Sequence, residues 1–187
     1  MPSFHRLLLA ACLSLSALGS IHASAPSVFV SVPDQKLVVV QNGLRLAQFP
    51  VSTSKFGLGD RPRSFATPLG TMVVASKVGD KAPLGTVFKG KRPTGEVLRP
   101  NAPGRDPIVT RILHLRGLES QNARAYSRGI YIHGTAEERM IGRPASYGCI
   151  RMRSRDVVKL YDAVPLGTKI AVLNEPLIRI FRDTAAN

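Results

Sequence analysis

Three short runs rich in β-branched and apolar residues open the globular part of the chain: Val28-Phe29-Val30-Ser31-Val32, Lys36-Leu37-Val38-Val39-Val40 and Leu44-Arg45-Leu46-Ala47-Gln48-Phe49-Pro50-Val51. Pro33-Asp34 separates the first two, and Asn42-Gly43, the strongest two-residue hairpin signal, separates the last two. The pattern predicts an antiparallel meander. Further strands are expected over Thr71 to Lys77, Ile108 to Leu115, Gly129 to His133 and Thr168 to Leu173.

One helix is expected. Ser154 is placed to cap it, Asp156 suits its first turn, and Val157, Val158, Leu160 and Tyr161 form an apolar face before Val164-Pro165-Leu166-Gly167 stops it. Residues 54 to 66 and 79 to 107 are rich in Gly, Pro and basic side chains without periodicity, and are expected as long loops. From Asn174 the mixed Ile/Arg pattern reads as a short helix or a frayed tail.

The first residues follow a different rule. Basic Arg6, an apolar run from Leu7 to Leu18 and small residues ending in Ala23-Ser24-Ala25 read as an export signal, with residues 1–23 removed. The run is too short and too rich in serine for a spanning helix of about 20 residues. A lipoprotein acylation box over Leu9-Ala10-Ala11-Cys12 is the lesser reading, since the chain stays apolar after the cysteine. One catalytic domain, residues 27–173, then precedes a tail over 174–187, and a monomer is expected.

The formal net charge of +14 raises nucleic acid as a partner, but there is no tryptophan and no interleaved basic and aromatic run on which bases could stack. For an exported protein an anionic envelope polymer is the better match.

Export also changes the meaning of the cysteines. Cys12 lies in the signal, so the mature chain keeps one thiol, Cys149, with no intramolecular partner. A lone thiol in an oxidising compartment is exposed to damage, which favours a chemical role. Cys149 sits in Ser146-Tyr147-Gly148-Cys149-Ile150-Arg151-Met152, sixteen residues after His133 in Ile132-His133-Gly134-Thr135. An imidazole can take the thiol proton, and a glycine beside the nucleophile lets backbone N–H groups face a carbonyl oxygen. On their own these residues fit equally a packed cysteine and a core histidine.

The two motifs closely resemble the signature of the YkuD-type L,D-transpeptidases, the catalytic domain of bacterial envelopes. Thr67-Pro68-Leu69-Gly70-Thr71, Leu115-Arg116-Gly117-Leu118-Glu119 and Val164-Pro165-Leu166-Gly167-Thr168 resemble further landmarks in family order. The resemblance implies a mostly β sandwich or barrel with one or two short helices and long loops over the site. It implies Cys149 as nucleophile, His133 as base and the Gly134 carbonyl as the group that holds the imidazole tautomer.

Tyr147 and Gly148, with Ser146 as a local hydrogen-bonding residue, would form the oxyanion and substrate-binding turn. Arg151 would fix a substrate carboxylate or rigidify the loop by an ion pair, and Tyr131 would contact substrate or pack; His114 reads as structural. Where many members have histidine, this chain has Tyr147, which puts any role of a second imidazole in doubt.

The implied substrate is a peptidoglycan tetrapeptide stem, with an amine of another stem or of an envelope lipoprotein as acceptor and no metal or organic cofactor. The implied location is the periplasm or cell envelope. A carboxypeptidase or trimming hydrolase on the same fold and a non-enzymatic, basic envelope-binding protein are the alternatives. Sortases also run His, Cys, Arg, but not at intervals of sixteen and two.

Overall fold

The computed structural model describes residues 25–185. The expected export signal, with Cys12, lies outside the described residues. Ten strands run β1 Ser27–Ser31, β2 Lys36–Gln41, β3 Leu44–Pro50, β4 Gly70–Val78, β5 Thr86–Lys89, β6 Arg92–Val97, β7 Ile108–Gly117, β8 Tyr131–Thr135, β9 Ile150–Met152 and β10 Lys169–Leu173. Two α-helices follow late in the chain, α1 Ser154–Ala163 and α2 Leu177–Ala185. The protein is mostly β, as the hydrophobic pattern predicts.

The opening meander forms as expected, with β1, β2 and β3 antiparallel and Asn42 and Gly43 both at positive φ in the hairpin turn. β10 returns to lie parallel to β1 and antiparallel to β4, and the sheet continues β4-β7-β5-β6. The far edge of β7 carries β8, which pairs in turn with β9. The ten residues of β7 thus serve three neighbours, because β4 takes one half of an edge and β5 the other.

The core is the inner face of this curved sheet. Val28, Val30, Leu37, Val39, Met72, Val74, Leu113, Leu115, Ile132 and Ile150 meet there, closed by Val157, Leu160 and Tyr161 of α1. Each fully buried Leu or Ile contributes about 1.5–3 kcal/mol relative to exposure. A smaller apolar layer on the outer face joins Val38 to Leu177 and Ile180 of α2, with Phe29 edge-on to Phe181. The segment after Asn174 is therefore a helix.

Two expectations need correction. Residues 79–107 are not all loop, because β5 and β6 form a hairpin there. β6 is exposed along its whole length at the sheet edge and contains Pro93 and Gly95, so no apolar alternation marks it in the sequence. Ser154 does not cap α1; it is the first helical residue, and Arg153 before it makes no side-chain cap. The Glu138 carboxylate accepts from the Ser154 N–H at 2.8 Å instead, while the Ser154 hydroxyl accepts from Thr110.

Several side chains tie the chain between β7 and β8 to the sheet, among them Glu119, which accepts from the Thr71 N–H, and Asn122. Asn122 is fully buried; its amide donates to the carbonyls of Leu69 (2.9 Å) and Thr71 (3.0 Å), and its oxygen accepts from the Glu119 N–H (2.9 Å). No side chain fits at Gly117, where a Cβ would meet the Asn122 backbone oxygen at 1.9 Å. Asn122→Ala is expected to leave these groups unpaired and to lower stability by about 1–3 kcal/mol, read as a shift of the urea midpoint; an unchanged midpoint would show that the tie is dispensable.

Candidate active site

Side chains alternate across a strand, and paired residues of neighbouring strands share a face. In the parallel pair β8–β9, Ile132 aligns with Ile150 and His133 with Arg151. Ile132, Ile150 and Met152 enter the core, so His133, Tyr131, Arg151 and the preceding Cys149 share the opposite face. The sixteen-residue spacing is bridged by a turn and loop that bring the second strand back alongside the first.

β7 shapes this face from the other side. Its register to β8 slips between Val109 and Ile112, and Thr110 in the slip is buried at φ +71°, a conformation that β-branched residues rarely adopt. Its hydroxyl is held between the Gly85 N–H (2.9 Å) and Ser154 Oγ (2.8 Å). Gly134 packs against the slip so closely that a Cβ there would lie 2.6 Å from the Val109 carbonyl oxygen.

His133 is 4% exposed, and its Nδ1 lies 2.8 Å from the Gly134 carbonyl oxygen. A carbonyl only accepts, so Nδ1 carries the proton and Nε2 is left as the basic nitrogen. Burial pulls the imidazole down to about 4; the Gly134 bond acts the other way, and the Arg151 charge adds to the depression. His133 is therefore neutral at pH 7.

Cys149 follows Gly148 at φ +116°, where a Cβ would press on the Ala66 carbonyl at 3.2 Å and on Ile130. Its thiol donates to the Gly129 carbonyl and accepts from the Tyr131 N–H, both at 3.4 Å. Among the described residues no hydrogen bond joins it to His133. Burial pushes the thiol up to about 11, while the Tyr131 N–H and the charges of Arg151 and Arg128 pull it down. Thiol and imidazole share a face as a neutral pair rather than as a thiolate and imidazolium.

The remaining predicted residues divide clearly. Ser146 is fully buried; its hydroxyl donates to the Cys149 carbonyl (2.5 Å) and accepts from the Gly148 N–H (3.3 Å), so it braces the turn and occupies one N–H group expected to face substrate. Tyr147 is 54% exposed, and its hydroxyl accepts from Lys55 Nζ at 3.1 Å. Its ring joins those of Phe56 and Phe65, at 5.3 and 6.0 Å.

Arg151 is buried, 3.0 Å from Asp106 and 3.8 Å from Glu137, and also donates to the Ala145 carbonyl. Tyr131 lies edge-on to His114, whose ring stacks on Tyr126 at 3.9 Å and takes a bond from Lys91.

Sequence reasoning missed the groups that hold this framework. Arg128 donates to Asp60 (2.7 Å) and to the carbonyls of Gly59 and Ala66, fastening the 54–66 loop beside Cys149. Asp106 Oδ1 accepts from Thr135 Oγ1 (2.5 Å) and from the N–H groups of Ala136 and Glu137. Arg128, five residues before His133, could have been flagged as a charge entering a strand; Asp106 sits in a Gly/Pro-rich stretch with no spacing signal.

Two clefts open on either side of Tyr147. One, of about 430 Å³, contains Cys149 and is lined by Arg63, Arg124 and Arg128 with Phe65. The other, of about 420 Å³, is lined by Lys55, Asp106, Glu137, Met140 and Arg151.

A fold of this kind with a thiol and a tautomer-fixed imidazole on one strand pair defines a class, and comparison with known proteins names it. Residues 25–172 match the model of the YkuD family, the L,D-transpeptidase catalytic domain, and the chain belongs to that family. A probable L,D-transpeptidase ErfK/SrfK of Escherichia coli strain K12 is 44% identical over 46 residues, 25% of this chain and 15% of that protein. The putative L,D-transpeptidase YkuD of Bacillus subtilis strain 168 is 46% identical over 41 residues, 22% of this chain and 25% of that protein.

The aligned stretches thus span only a quarter or less of these relatives. Among solved structures, an L,D-transpeptidase from Xylanimonas cellulosilytica superposes with a TM-score of 0.52 at 18% identity, covering 81% of this chain and 61% of that one. L,D-transpeptidase 3 of Mycobacterium tuberculosis, solved with a faropenem-derived adduct, gives 0.51 at 20% identity, covering 79% and 60%. At these identities the likeness is one of fold.

The neutral pair has a measurable consequence. Iodoacetamide alkylation of Cys149 is expected to accelerate about tenfold per pH unit from near neutral upward, levelling only toward the thiol value of about 11. A plateau already reached below about pH 8 would mean a thiolate formed in advance, contrary to this geometry.

Proposed function

We propose that the protein is an exported L,D-transpeptidase of the cell envelope that uses Cys149 to acylate peptidoglycan stem peptides and passes them to an amine. The observation that carries this reading is the shared face of Cys149 and His133, with Gly134 leaving Nε2 free to accept a proton.

In the first step, Cys149 Sγ bonds to the carbonyl carbon of the third stem residue as its proton moves to His133 Nε2. The negative oxygen is received by the backbone N–H groups of Tyr147 and Cys149, since Ser146 holds that of Gly148. Collapse breaks the peptide bond, and the leaving terminal D-Ala takes the proton from the imidazolium as its amine departs. The thioester then passes to an acceptor amine, giving a 3→3 cross-link or an attached envelope lipoprotein; water as acceptor gives a carboxypeptidase.

The electrostatics support a proton transfer made during attack. A buried neutral imidazole and a half-buried neutral thiol avoid the cost of two unpaired charges in the resting site, and substrate binding displaces the thiol from Gly129. The three arginines of the thiol cleft suit the carboxylates of an acidic stem peptide. The export signal over residues 1–23 would place the enzyme where that substrate is, and the monomeric chain would act without a metal or organic cofactor.

D-Ala release from a tetrapeptide is the direct assay. Cys149→Ala is expected to remain folded and release none, and His133→Ala to lose at least about a hundredfold, the usual scale for a positioned base. Turnover retained by Cys149→Ala would remove this mechanism.

A further inference from the structure

A third cleft, of about 360 Å³, lies apart from the two beside Tyr147 and shares no lining residue with either. One wall is the base of the β5–β6 hairpin, with Leu84, Val97 and Leu98, and the other is the first turn of α1. The strained Thr110 fastens the walls together, its hydroxyl joining the Gly85 N–H and Ser154 Oγ at 2.9 and 2.8 Å. The segment that carries Arg99 is fixed as well: the Asn101 N–H donates to the Ala136 carbonyl, and Asn101 Oδ1 accepts from the Arg139 N–H. The cleft is therefore a standing feature of the fold.

Its rim joins two chemistries. Leu84 and Val97 are 46% and 57% exposed, and the thiol site makes no use of them. Beside them stand Arg99, Arg153 and Arg155, all exposed, and none has an ion pair or a side-chain hydrogen bond among the described residues. Arg153 precedes α1 without capping it.

Two acids also line the cleft, and neither neutralises these arginines. The Glu138 carboxylate is engaged by the Ser154 N–H at 2.8 Å, and Asp156 lies in the first turn of α1, where the helix dipole favours a carboxylate. A soluble polyanion would satisfy the guanidiniums but leave Leu84 and Val97 in water. A partner that satisfies both supplies hydrocarbon next to anionic oxygens, and the formal net charge of +14 draws the whole chain toward such a surface.

We infer that this face docks on a membrane containing anionic phospholipids, with lipid phosphates held by Arg99, Arg153 and Arg155 and with Leu84 and Val97 entering the acyl boundary. A guanidinium offers a planar pair of donors to a phosphate, and exposed aliphatic side chains ringed by cations are the usual means of lying on a bilayer without crossing it. The inference stands or falls independently of the transpeptidase reading, since no residue of this face belongs to the thiol site.

The test uses the chain from Ser24 onward, which keeps every described strand and helix and removes the apolar leader as a source of binding. Sedimentation with sucrose-loaded vesicles is compared, at physiological ionic strength, for an equal mixture of phosphatidylglycerol and phosphatidylcholine and for phosphatidylcholine alone. Binding is expected to be at least about tenfold tighter to the anionic vesicles, and that preference is expected to disappear when Arg99, Arg153 and Arg155 are all replaced by glutamine. Leu84→Ser combined with Val97→Ser should weaken binding at least about tenfold with the arginines intact. All five side chains are exposed, so the variants should unfold at the temperature of the parent protein.

The chain has no tryptophan, so Leu84→Trp provides a single fluorescent reporter. Its emission should shift to the blue with anionic vesicles and stay unchanged with polyglutamate. Equal binding to both vesicle types, undiminished binding by either multiple variant, or an emission that vesicles do not shift would each overturn the membrane face. Polyglutamate bound as tightly as the vesicles, and equally well by Leu84→Ser with Val97→Ser, would assign the arginines to a soluble polyanion and overturn it too.

Discussion

The register of two short parallel strands is the constraint on which this molecule depends. Pairing Ile132 with Ile150 sends both into the core, and that pairing leaves His133, Cys149 and Arg151 on the outer face. A slip of one residue would bury the imidazole or the guanidinium in hydrocarbon and expose an isoleucine. Core burial therefore enforces the geometry of the site, and the packing that stabilises the fold also fixes where the thiol and the imidazole lie.

The site is built to remain uncharged at its centre and charged around it. Thiol and imidazole are both held neutral by burial, while Arg151 is balanced by Asp106 and Glu137 and Arg128 by Asp60. Removing one member of such a buried pair is more costly than the pair is favourable, so these ion pairs act chiefly as fasteners of the loops over Cys149. The strained Thr110 belongs to the same frame, since the slip in β7 presses on Gly134, whose carbonyl fixes the imidazole tautomer. A bulge beside a functional site is a common device for aiming a side chain.

Much of this was legible in the sequence because the decisive elements are periodic or chemically distinctive. The meander, β4, β7, β8, β10 and α1 all carry apolar alternation or a helical face, and Asn42-Gly43 marks its turn. Cys149 and His133 stand out because one is the only cysteine outside the expected export signal and the other lies a motif's distance before it. The β5–β6 hairpin was illegible because an exposed edge strand such as Arg92–Val97 buries nothing and so needs no pattern. β9 was hidden by its three-residue length. Asp106 and Glu137 were invisible for a different reason: their roles come from Arg151, distant in sequence, and no local spacing records them; Arg128 stands out only as a charge before a strand, and its partner Asp60 is equally distant.

The central claim is that Cys149 is an acylatable nucleophile activated during attack on a carbonyl group. Incubation of the folded protein with a carbapenem such as imipenem, followed by intact-mass measurement and peptide mapping, tests it without reference to any acceptor. The account predicts one stoichiometric adduct confined to the peptide bearing Cys149, lost when the protein is unfolded before incubation. A folded protein that stays unmodified, or an adduct on another residue, would contradict it.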